Sequence, residues 1–405
     1  GLLSFATAFV GLFGAIAGLG LQAIVVRDIV RDPDGKEATL GTAVALQFFG
    51  GLVAYGLILG TIFWLRPDDV LAKALVAILG SMMLFKASEV AVYWFESQVM
   101  SKYTVWVQNG SFLTFAAIKV VLILNNAPLI AFAWATMAEA LLVALLMGVM
   151  LGLRGPRLRQ LQITFARAMT LLKDSWPLLL SGIAIMIYMK IDQIMLGQMV
   201  GDKEVGIYSA AVRISEVWYF IPMVIVASVF PAILEAKKRS EEQYYARLQS
   251  LFDVMTLISV PVALFMTFFS PFVVEFLFGA AYSAAGPVLA IHIWASIFVF
   301  LGVASEKWFL TENLQRLVFV RMVLNGTINV VLNYLLIPDY GAVGAAIALV
   351  IAQSLGTFLY DQFRADTKKI FHMKVSSFNI FRILYKHSWK NISYILLWCA
   401  QESVV

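Results

Sequence analysis

The sequence predicts an all-α integral membrane protein consisting of two pseudo-symmetric bundles of six helices. Three observations lead to this fold class: an apolar composition, a series of long apolar runs, and short internal repeats. Of the 405 residues, 61% are hydrophobic and 14% are charged, and the mean hydropathy is +0.85. Soluble domains have an apolar share nearer one half, so the composition excludes a soluble protein.

Eleven apolar runs are each near or above the ~20 residues that a helix needs to cross the hydrocarbon core. We expect every one of them to form a spanning helix. The runs are Leu2 to Val26, Leu40 to Leu65, Leu71 to Gln98, Thr104 to Leu124, Leu129 to Leu153, Trp176 to Met199, Gly206 to Leu234, Leu251 to Phe278, Val288 to Leu310, Leu317 to Ile337 and Ala342 to Tyr360.

Basic residues concentrate in alternate connections between these runs, which predicts the orientation of the chain because Lys and Arg favour the cytoplasmic side. The same bias explains the net charge of +5, so no nucleic-acid role is assigned to it. The predicted cytoplasmic cations are Arg27, Arg31 and Lys36 after the first run, Arg154, Arg157, Arg159 and Arg167 after the fifth, and Lys237, Lys238, Arg239 and Arg247 after the seventh.

Two short similarities relate the halves of the chain. The segment Gly1 to Ala6 resembles Gly206 to Ala211, and Ala138-Glu139 resembles Ala352-Gln353. Such repeats are common in transporters. Because the second half has an additional helix before Gly206, we expect the first half to have a counterpart before Gly1, so that eleven of twelve helices are visible.

The predicted domains follow from these runs. They are an N-terminal bundle at 1–153 without its first helix, a cytoplasmic interfacial linker at 154–175, a C-terminal bundle at 176–361, and a basic cytoplasmic or interfacial tail at 362–405. The linker mixes arginines with apolar residues, so an amphipathic interfacial helix and a solvated basic loop are both open interpretations.

Charged residues inside the runs are functional candidates by default, because a charge in hydrocarbon is costly and marks a path for a polar solute. Glu139 is alone in its run and is a candidate proton or cation site. The cationic candidates for binding are Lys86, Lys119, Lys190 and Arg213, and the acidic candidates are Glu139, Asp192 and Glu216.

Some of these charges have a second interpretation. Lys86 and Glu89 are three residues apart, as are Arg213 and Glu216, so each pair is also a candidate local ion pair. Lys190 and Asp192 are two residues apart and therefore point to different faces, so we do not expect them to pair with each other, and one of them is available for a partner on another helix. Arg321 is expected to extend to the headgroups instead.

Uncharged polar residues inside the runs give weaker evidence about function than the charged ones. Asn325, Asn329 and Asn333 repeat every four residues and therefore share a helix face, either along a sugar path or as hydrogen-bonding contacts between helices. His292 is the one histidine inside a run, and we expect it at a helix interface.

The sequence gives little support for an enzymatic function. The three histidines are scattered, no glycine-rich phosphate loop occurs, and the connections are too short for a catalytic domain. We therefore predict no metal, no cofactor and no enzymatic activity.

Several motifs resemble a known family. The segments Ile191 to Gly197, Val205 to Ala211 and Phe220 to Pro222 are similar to the middle hairpin of the polysaccharide transporter family. This family is the bacterial flippase branch of the multidrug, oligosaccharidyl-lipid and polysaccharide exporter superfamily. Asn333 to Pro338 with Tyr340 to Ala346 resembles the last helix pair of the family, and Gly1 to Gly20 resembles its second helix.

The resemblance implies a multi-pass protein of a bacterial or archaeal plasma membrane. It would move a lipid-linked oligosaccharide, on a polyprenyl pyrophosphate carrier, from the cytoplasmic to the outer leaflet by alternating access. Proton or sodium coupling would use the acids, and the cations would meet the pyrophosphate. Membrane lipids and other polysaccharide assembly proteins are the candidate partners.

Two alternative functions remain open. One is a multidrug or cation antiporter of the same superfamily, whose cleft should be rich in acids. The other is a membrane enzyme or scaffold of envelope sugar assembly, which would exchange no lipid between leaflets.

Overall fold

A computed structural model describes residues 1–156, 160–312 and 314–379. Throughout these ranges the regular secondary structure is helical, mainly α-helix with short 3-10 and π segments. Ten helical segments of this described part are long and apolar enough to cross a membrane. The predicted class, an all-α integral membrane protein, is thereby confirmed.

The first compact unit covers residues 2–190. Its first spanning segment is interrupted at Leu19 and Gly20, which both have a positive φ. A Cβ on Gly20 would clash with the backbone of Leu179, so glycine is required there. The helices are α1 (Leu2–Leu12), α2 (Gly14–Gly18), α3 (Leu21–Arg31), α4 (Lys36–Leu65), α5 (Val70–Gly80), α6 (Glu89–Ser97), α7 (Lys102–Leu124), α8 (Leu129–Arg154) and α9 (Phe165–Met199), with a 3-10 segment at Ser81–Ser88.

Helix α9 begins in the predicted linker, at Phe165, and continues through Pro177 without a break. The division between the compact units falls inside this helix, after Lys190. Arg167 near its start is anchored to the first unit, because its guanidinium lies 3.0 Å from Asp28 and donates to Thr39. This part of the linker is therefore helical, whereas Arg157 and Arg159 lie outside the described residues.

The second compact unit contains Gly1 and the described residues from Ile191 onward. Its helices are α10 (Asp202–Glu216), α11 (Phe220–Arg239), α12 (Glu241–Phe278), α13 (Ala285–His292), α14 (Ala295–Thr311), α15 (Gln315–Gln353) and α16 (Lys368–Ser376), with a π segment at Ser354–Phe358 and 3-10 segments at Val217–Tyr219, Ala280–Tyr282 and Leu359–Phe363.

Helix α15 is two spanning helices that meet at Gly341. The 48-residue span that contains it would be ~72 Å long as one straight helix, more than twice the hydrocarbon core. Gly341 has a φ of 54° and a non-helical ψ of −132°. A Cβ on Gly344 would clash with the carbonyl of Leu336. Two residues eight positions apart in one straight helix do not approach this closely, so the chain reverses its direction between them. Ten helical segments thus correspond to the eleven predicted runs.

The segment after the last spanning helix is packed into the second unit, although the basic sequence favours a tail on the membrane surface. Ile370 and Lys374 of α16 are fully buried. Gln249 of α12 donates to the carbonyl of Met373 over 3.1 Å, and the hydroxyls of Thr256 and Ser377 are 2.7 Å apart. Helix α16 is thus part of the core up to residue 379, and the remaining tail lies outside the described residues.

A buried cluster of charges holds α16 in place. Lys374 Nζ lies 2.8 Å from Asp361 Oδ2, and Arg321 Nε lies 3.7 Å from Asp361 Oδ1. Both cations also donate to the carbonyl of Thr357, in the π segment. The expectation that Arg321 extends to the headgroups is wrong, because this acid and these carbonyls satisfy its guanidinium inside the protein.

The cluster holds two cations for one carboxylate. Burial and the Arg321 guanidinium lower the pKa of Lys374 to about 8, and Asp361 opposes both effects. Asp361 is therefore the residue on which the cluster depends, since removing it leaves two buried cations facing each other.

We predict that Asp361→Asn lowers the free energy of unfolding by ~3–5 kcal/mol, the usual cost of leaving buried charge uncompensated. Lys374→Met should cost only about 1 kcal/mol, because it keeps the pair of Arg321 and Asp361 and replaces the lysine stem with an apolar side chain of similar length. Thermal unfolding in detergent measures both. Lys368→Met, on the exposed side of α16, is the control, and equal losses in the first two variants would contradict the prediction.

Candidate functional site

A polar cavity lies within the first unit, between the 3-10 segment at Ser81–Ser88 and helices α6, α7 and α8. Its volume is about 640 Å³, within the range of small-molecule sites. Apolar side chains such as Met83, Phe85 and Val143 form part of its wall. The polar lining residues are Lys86, Ser88, Glu89, Gln108, Asn109, Lys119, Thr136 and Glu139.

Two ion pairs carry the charge of this polar cavity. Lys86 Nζ lies 2.6 Å from Glu89 Oε1, as the spacing of three residues predicts. Lys119 Nζ on α7 lies 2.8 Å from Glu139 Oε2 on α8. Glu139 is therefore not alone, because its partner is supplied by the preceding helix of the α7–α8 hairpin.

The four charged side chains are partly accessible. The exposed fractions are 28% for Lys86 and 40% for Glu89, and 31% for Lys119 and 21% for Glu139. They thus border an accessible space rather than a closed core. The two lysines and two glutamates balance each other, so the described lining of the polar cavity is neutral.

A second polar group lies inside the second unit, and we call it the Asp192 cluster. Asp192 is buried and accepts hydrogen bonds from the Tyr208 hydroxyl, over 2.7 Å, and from the Asn333 amide. Asn333 also donates to Asn329 Oδ1 over 3.1 Å. A buried carboxylate needs such donors, because an unpaired one costs several kcal/mol.

The Asp192 cluster follows from helix register. Asp192 precedes the α9–α10 turn at Gly201 by nine residues and Tyr208 follows it by seven, so the two lie at similar depth on antiparallel helices. Asn329 and Asn333 share one face of α15 as predicted. The asparagines thus make helix contacts, and Asn325 does the same by donating to Gln353 over 3.1 Å.

His292 is buried beside the Asp192 cluster. Its Nδ1 is 2.9 Å from Ser215 Oγ, and its ring contacts that of Tyr208 with centroids 5.7 Å apart. The position at a helix interface agrees with the expectation from the sequence. Among the described residues, no group of three or more His, Cys, Asp or Glu side chains could hold a metal ion.

The remaining candidate residues lie outside both the polar cavity and the Asp192 cluster. Arg213 is exposed and Glu216 is partly buried, both on α10, and neither lines the polar cavity. Lys190 is partly buried at the end of the first unit. The structure therefore brings together three of the seven predicted residues, Lys86, Lys119 and Glu139. It adds Gln108, Asn109 and Thr136, which sequence reasoning missed because uncharged polar residues in long helices carry no spacing signal.

A sequence model described as polysaccharide biosynthesis protein matches residues 1–237. The chain belongs to this family. A second model, MatE, matches residues 177–335. The first match confirms the resemblance to the polysaccharide transporter family, and the two matches together agree with the wider exporter superfamily.

Two curated relatives are from Haloferax volcanii. The chain is 24% identical over 228 residues to the probable low-salt glycan biosynthesis flippase Agl15, covering 55% of this chain and 48% of that protein. It is 29% identical over 180 residues to the probable flippase AglR, covering 43% of this chain and 37% of that protein. The matches thus span less than half the length of either relative.

Solved structures support the fold. An inward-facing multidrug resistance transporter of the MATE family superposes with a TM-score of 0.73 at 16% identity, covering 96% of this chain and 92% of the other. The lipid II flippase MurJ, in an inward closed conformation, gives 0.69 at 14% identity, covering 99% and 97%. At these identities the likeness shows a shared fold and nothing about substrate.

We predict that Tyr208→Phe lowers the free energy of unfolding by ~1–3 kcal/mol, because Asp192 then keeps a buried oxygen with one donor fewer. Tyr334→Phe is the matched control, since Tyr334 is 68% exposed. Thermal unfolding of the two purified variants measures the difference. Equal stabilities would show that the hydrogen bond to Asp192 contributes nothing.

Proposed function

We propose that the protein is a flippase that moves a lipid-linked oligosaccharide on a polyprenyl pyrophosphate carrier from the cytoplasmic to the outer leaflet. The observation that carries this proposal is the polar cavity, which places Lys86 and Lys119 in an accessible space inside a membrane-spanning unit. The family match and the two relatives named as probable flippases support the same function.

The substrate chemistry fits the polar cavity. A pyrophosphate does not cross hydrocarbon unshielded, because burying an uncompensated charge costs several kcal/mol. Lys86 and Lys119 supply cations, while Gln108, Asn109 and Thr136 supply neutral hydrogen-bonding groups suited to sugar hydroxyls. The hydrocarbon tail would remain in the lipid during the movement.

Binding would proceed by exchange of ion pairs. In the structure Glu89 holds Lys86 and Glu139 holds Lys119. A phosphate oxygen that enters the polar cavity would replace the glutamate as the hydrogen-bond partner of the lysine. The released glutamate would gain a proton or turn toward water. Lys190 and Arg213 are proposed as further phosphate contacts on the path, since both are cations within spanning helices.

We propose that the Asp192 cluster couples transport to a proton or sodium gradient. Asp192 supplies a carboxylate, and Asn333 Oδ1 is a buried oxygen that has no hydrogen-bond partner within the described chain. Carboxylate and amide oxygens are the ligands that hard cations prefer. Glu139 and Glu216 are the other proposed coupling residues. Alternating access, with the polar cavity open first to one leaflet and then to the other, completes the proposed cycle.

The alternative function is a multidrug or cation antiporter. The MatE match and the presence of Glu89 and Glu139 in the polar cavity favour it. A lysine beside each glutamate opposes it, because the lysine repels a cationic drug and competes for the carboxylate. A non-transporting enzyme or scaffold is opposed by the family match and by the two relatives named as probable flippases.

We predict that Lys86→Gln and Lys119→Gln each slow leaflet exchange of a polyprenyl-pyrophosphate oligosaccharide by about tenfold, the loss expected for one charge-assisted hydrogen bond of ~1.5 kcal/mol. The assay uses vesicles that contain the full-length protein. Lys102→Gln is the matched control, because Lys102 is exposed at the start of α7, outside the polar cavity. Expulsion of small organic cations without exchange of the lipid-linked sugar would favour the antiporter.

We predict that Asp192→Asn removes the dependence of transport on an imposed ion gradient but preserves exchange down a substrate gradient. The amide keeps the size of the side chain and loses the charge that a proton or cation requires. Vesicles with and without a proton or sodium gradient separate the two quantities. Unchanged gradient dependence in this variant would remove Asp192 from the coupling mechanism.

A further inference from the structure

A groove runs between α11 and α12 of the second unit, and neither the fold nor the proposed flippase function explains it. The two helices form a tight hairpin, joined by Ser240 alone. The groove has a volume of about 220 Å³. It is lined by Ile225, Val229 and Ala232 from α11 and by Arg247, Ser250, Leu251 and Val254 from α12.

Polar and apolar groups are separated along this groove. Among the described lining residues Arg247 is the charged one and lies near the hairpin tip, whereas Ile225 and Val254 line the end farther from the tip. Arg247 donates to the Ala232 carbonyl over 2.9 Å, which ties its guanidinium to α11. A guanidinium presents its N–H donors in a planar fork, a geometry that suits phosphate oxygens.

The depth of the groove matches one leaflet. Arg247 is six residues inside the start of α12, so it lies ~9 Å from the hairpin tip. The tip carries the basic residues that place it on the cytoplasmic side, and the headgroup layer is roughly 5–8 Å thick. Arg247 is then at about the level of the lipid phosphates. From Ala232 to Ile225 the groove extends ~10 Å farther into the hydrocarbon layer.

We propose that this groove binds an anionic phospholipid of the cytoplasmic leaflet, with one acyl chain along Ile225, Val229 and Val254 and its phosphate at Arg247. A phospholipid combines a phosphate at headgroup level with a chain directly below it, and the groove presents a cation and an apolar wall at the same two levels.

Two acidic residues near the hairpin tip are paired with cations outside the groove. Glu235 lies 3.7 Å from both Lys238 and Arg239, and Glu241 lies 3.5 Å from Lys369. Neither glutamate lines the groove. Arg247 is therefore the charged side chain that the described lining of the groove offers to a headgroup.

Binding can be tested on the full-length protein in detergent by native mass spectrometry, with phosphatidylglycerol as the probe and phosphatidylcholine as the zwitterionic comparison. Arg247→Gln should bind phosphatidylglycerol about fivefold less tightly, the ratio that ~1 kcal/mol per interfacial cation gives. Val229→Trp should fill the groove and reduce binding of both lipids. The controls are Arg239→Gln, which removes an exposed cation that does not line the groove, and Ala227→Phe, at an exposed position of α11 outside it.

The outcomes are distinct. Weaker phosphatidylglycerol binding in Arg247→Gln and Val229→Trp, with unchanged binding in both controls, supports the site. Equal affinity of the wild type and the two groove variants would overturn the proposal. Displacement of phosphatidylglycerol by a stoichiometric amount of polyprenyl phosphate would also overturn it, because the groove would then belong to the carrier lipid. The measurement needs no transport, so it stands apart from the flippase function. Thermal unfolding of each variant confirms that it is folded.

Discussion

The structure depends on one constraint: a charge inside a membrane-spanning unit must have a partner. Lys86, Lys119 and Asp361 show three solutions to it. Lys86 pairs with the first residue of the adjoining helix α6, Lys119 pairs across a helix hairpin, and Asp361 joins two cations from separate segments. The first two solutions border an accessible cavity, where the proposed function would let a ligand replace the paired glutamate. The third is fully buried and serves stability.

Local breaks in the helices provide partners for these charges. The 3-10 segment at Ser81–Ser88 turns Lys86 and Ser88 toward the polar cavity. The π segment at Ser354–Phe358 leaves carbonyls that Arg321 and Lys374 use. At Gly341 the backbone leaves the helix, and the N–H of Ala342 donates to Glu204 over 2.8 Å. Irregular backbone in a membrane protein is tolerated where such groups are satisfied by protein.

The sequence determined most of the fold because hydrophobic length and charge bias act locally. Run ends at Ile337 and Ala342 located the break at Gly341, although the helix appears continuous by its hydrogen bonds.

The pair of Lys86 and Glu89 followed from spacing alone. Lys119 and Glu139 are twenty residues apart on two helices, so their pairing depends on the register of the hairpin. A single sequence gives this register only to within a turn.

The burial of Lys374 was missed for a different reason. A basic, amphipathic segment is typical of a membrane surface, and only tertiary contacts with Asp361 and Thr357 bury this lysine.

A neutral cavity is better suited to transport than a strongly cationic one. Two unpaired lysines would hold a pyrophosphate tightly, and release at the outer leaflet would then require the full binding free energy. In the proposed cycle, with Glu89 and Glu139 in place, entry of the phosphate would replace one anion with another, so the number of charge pairs would stay constant. The net free energy of binding would then be a small difference between two similar interactions, as the proposed entry from one side and exit on the other require. The same glutamates would also restore the empty state, because each would close on its lysine once the phosphate had gone.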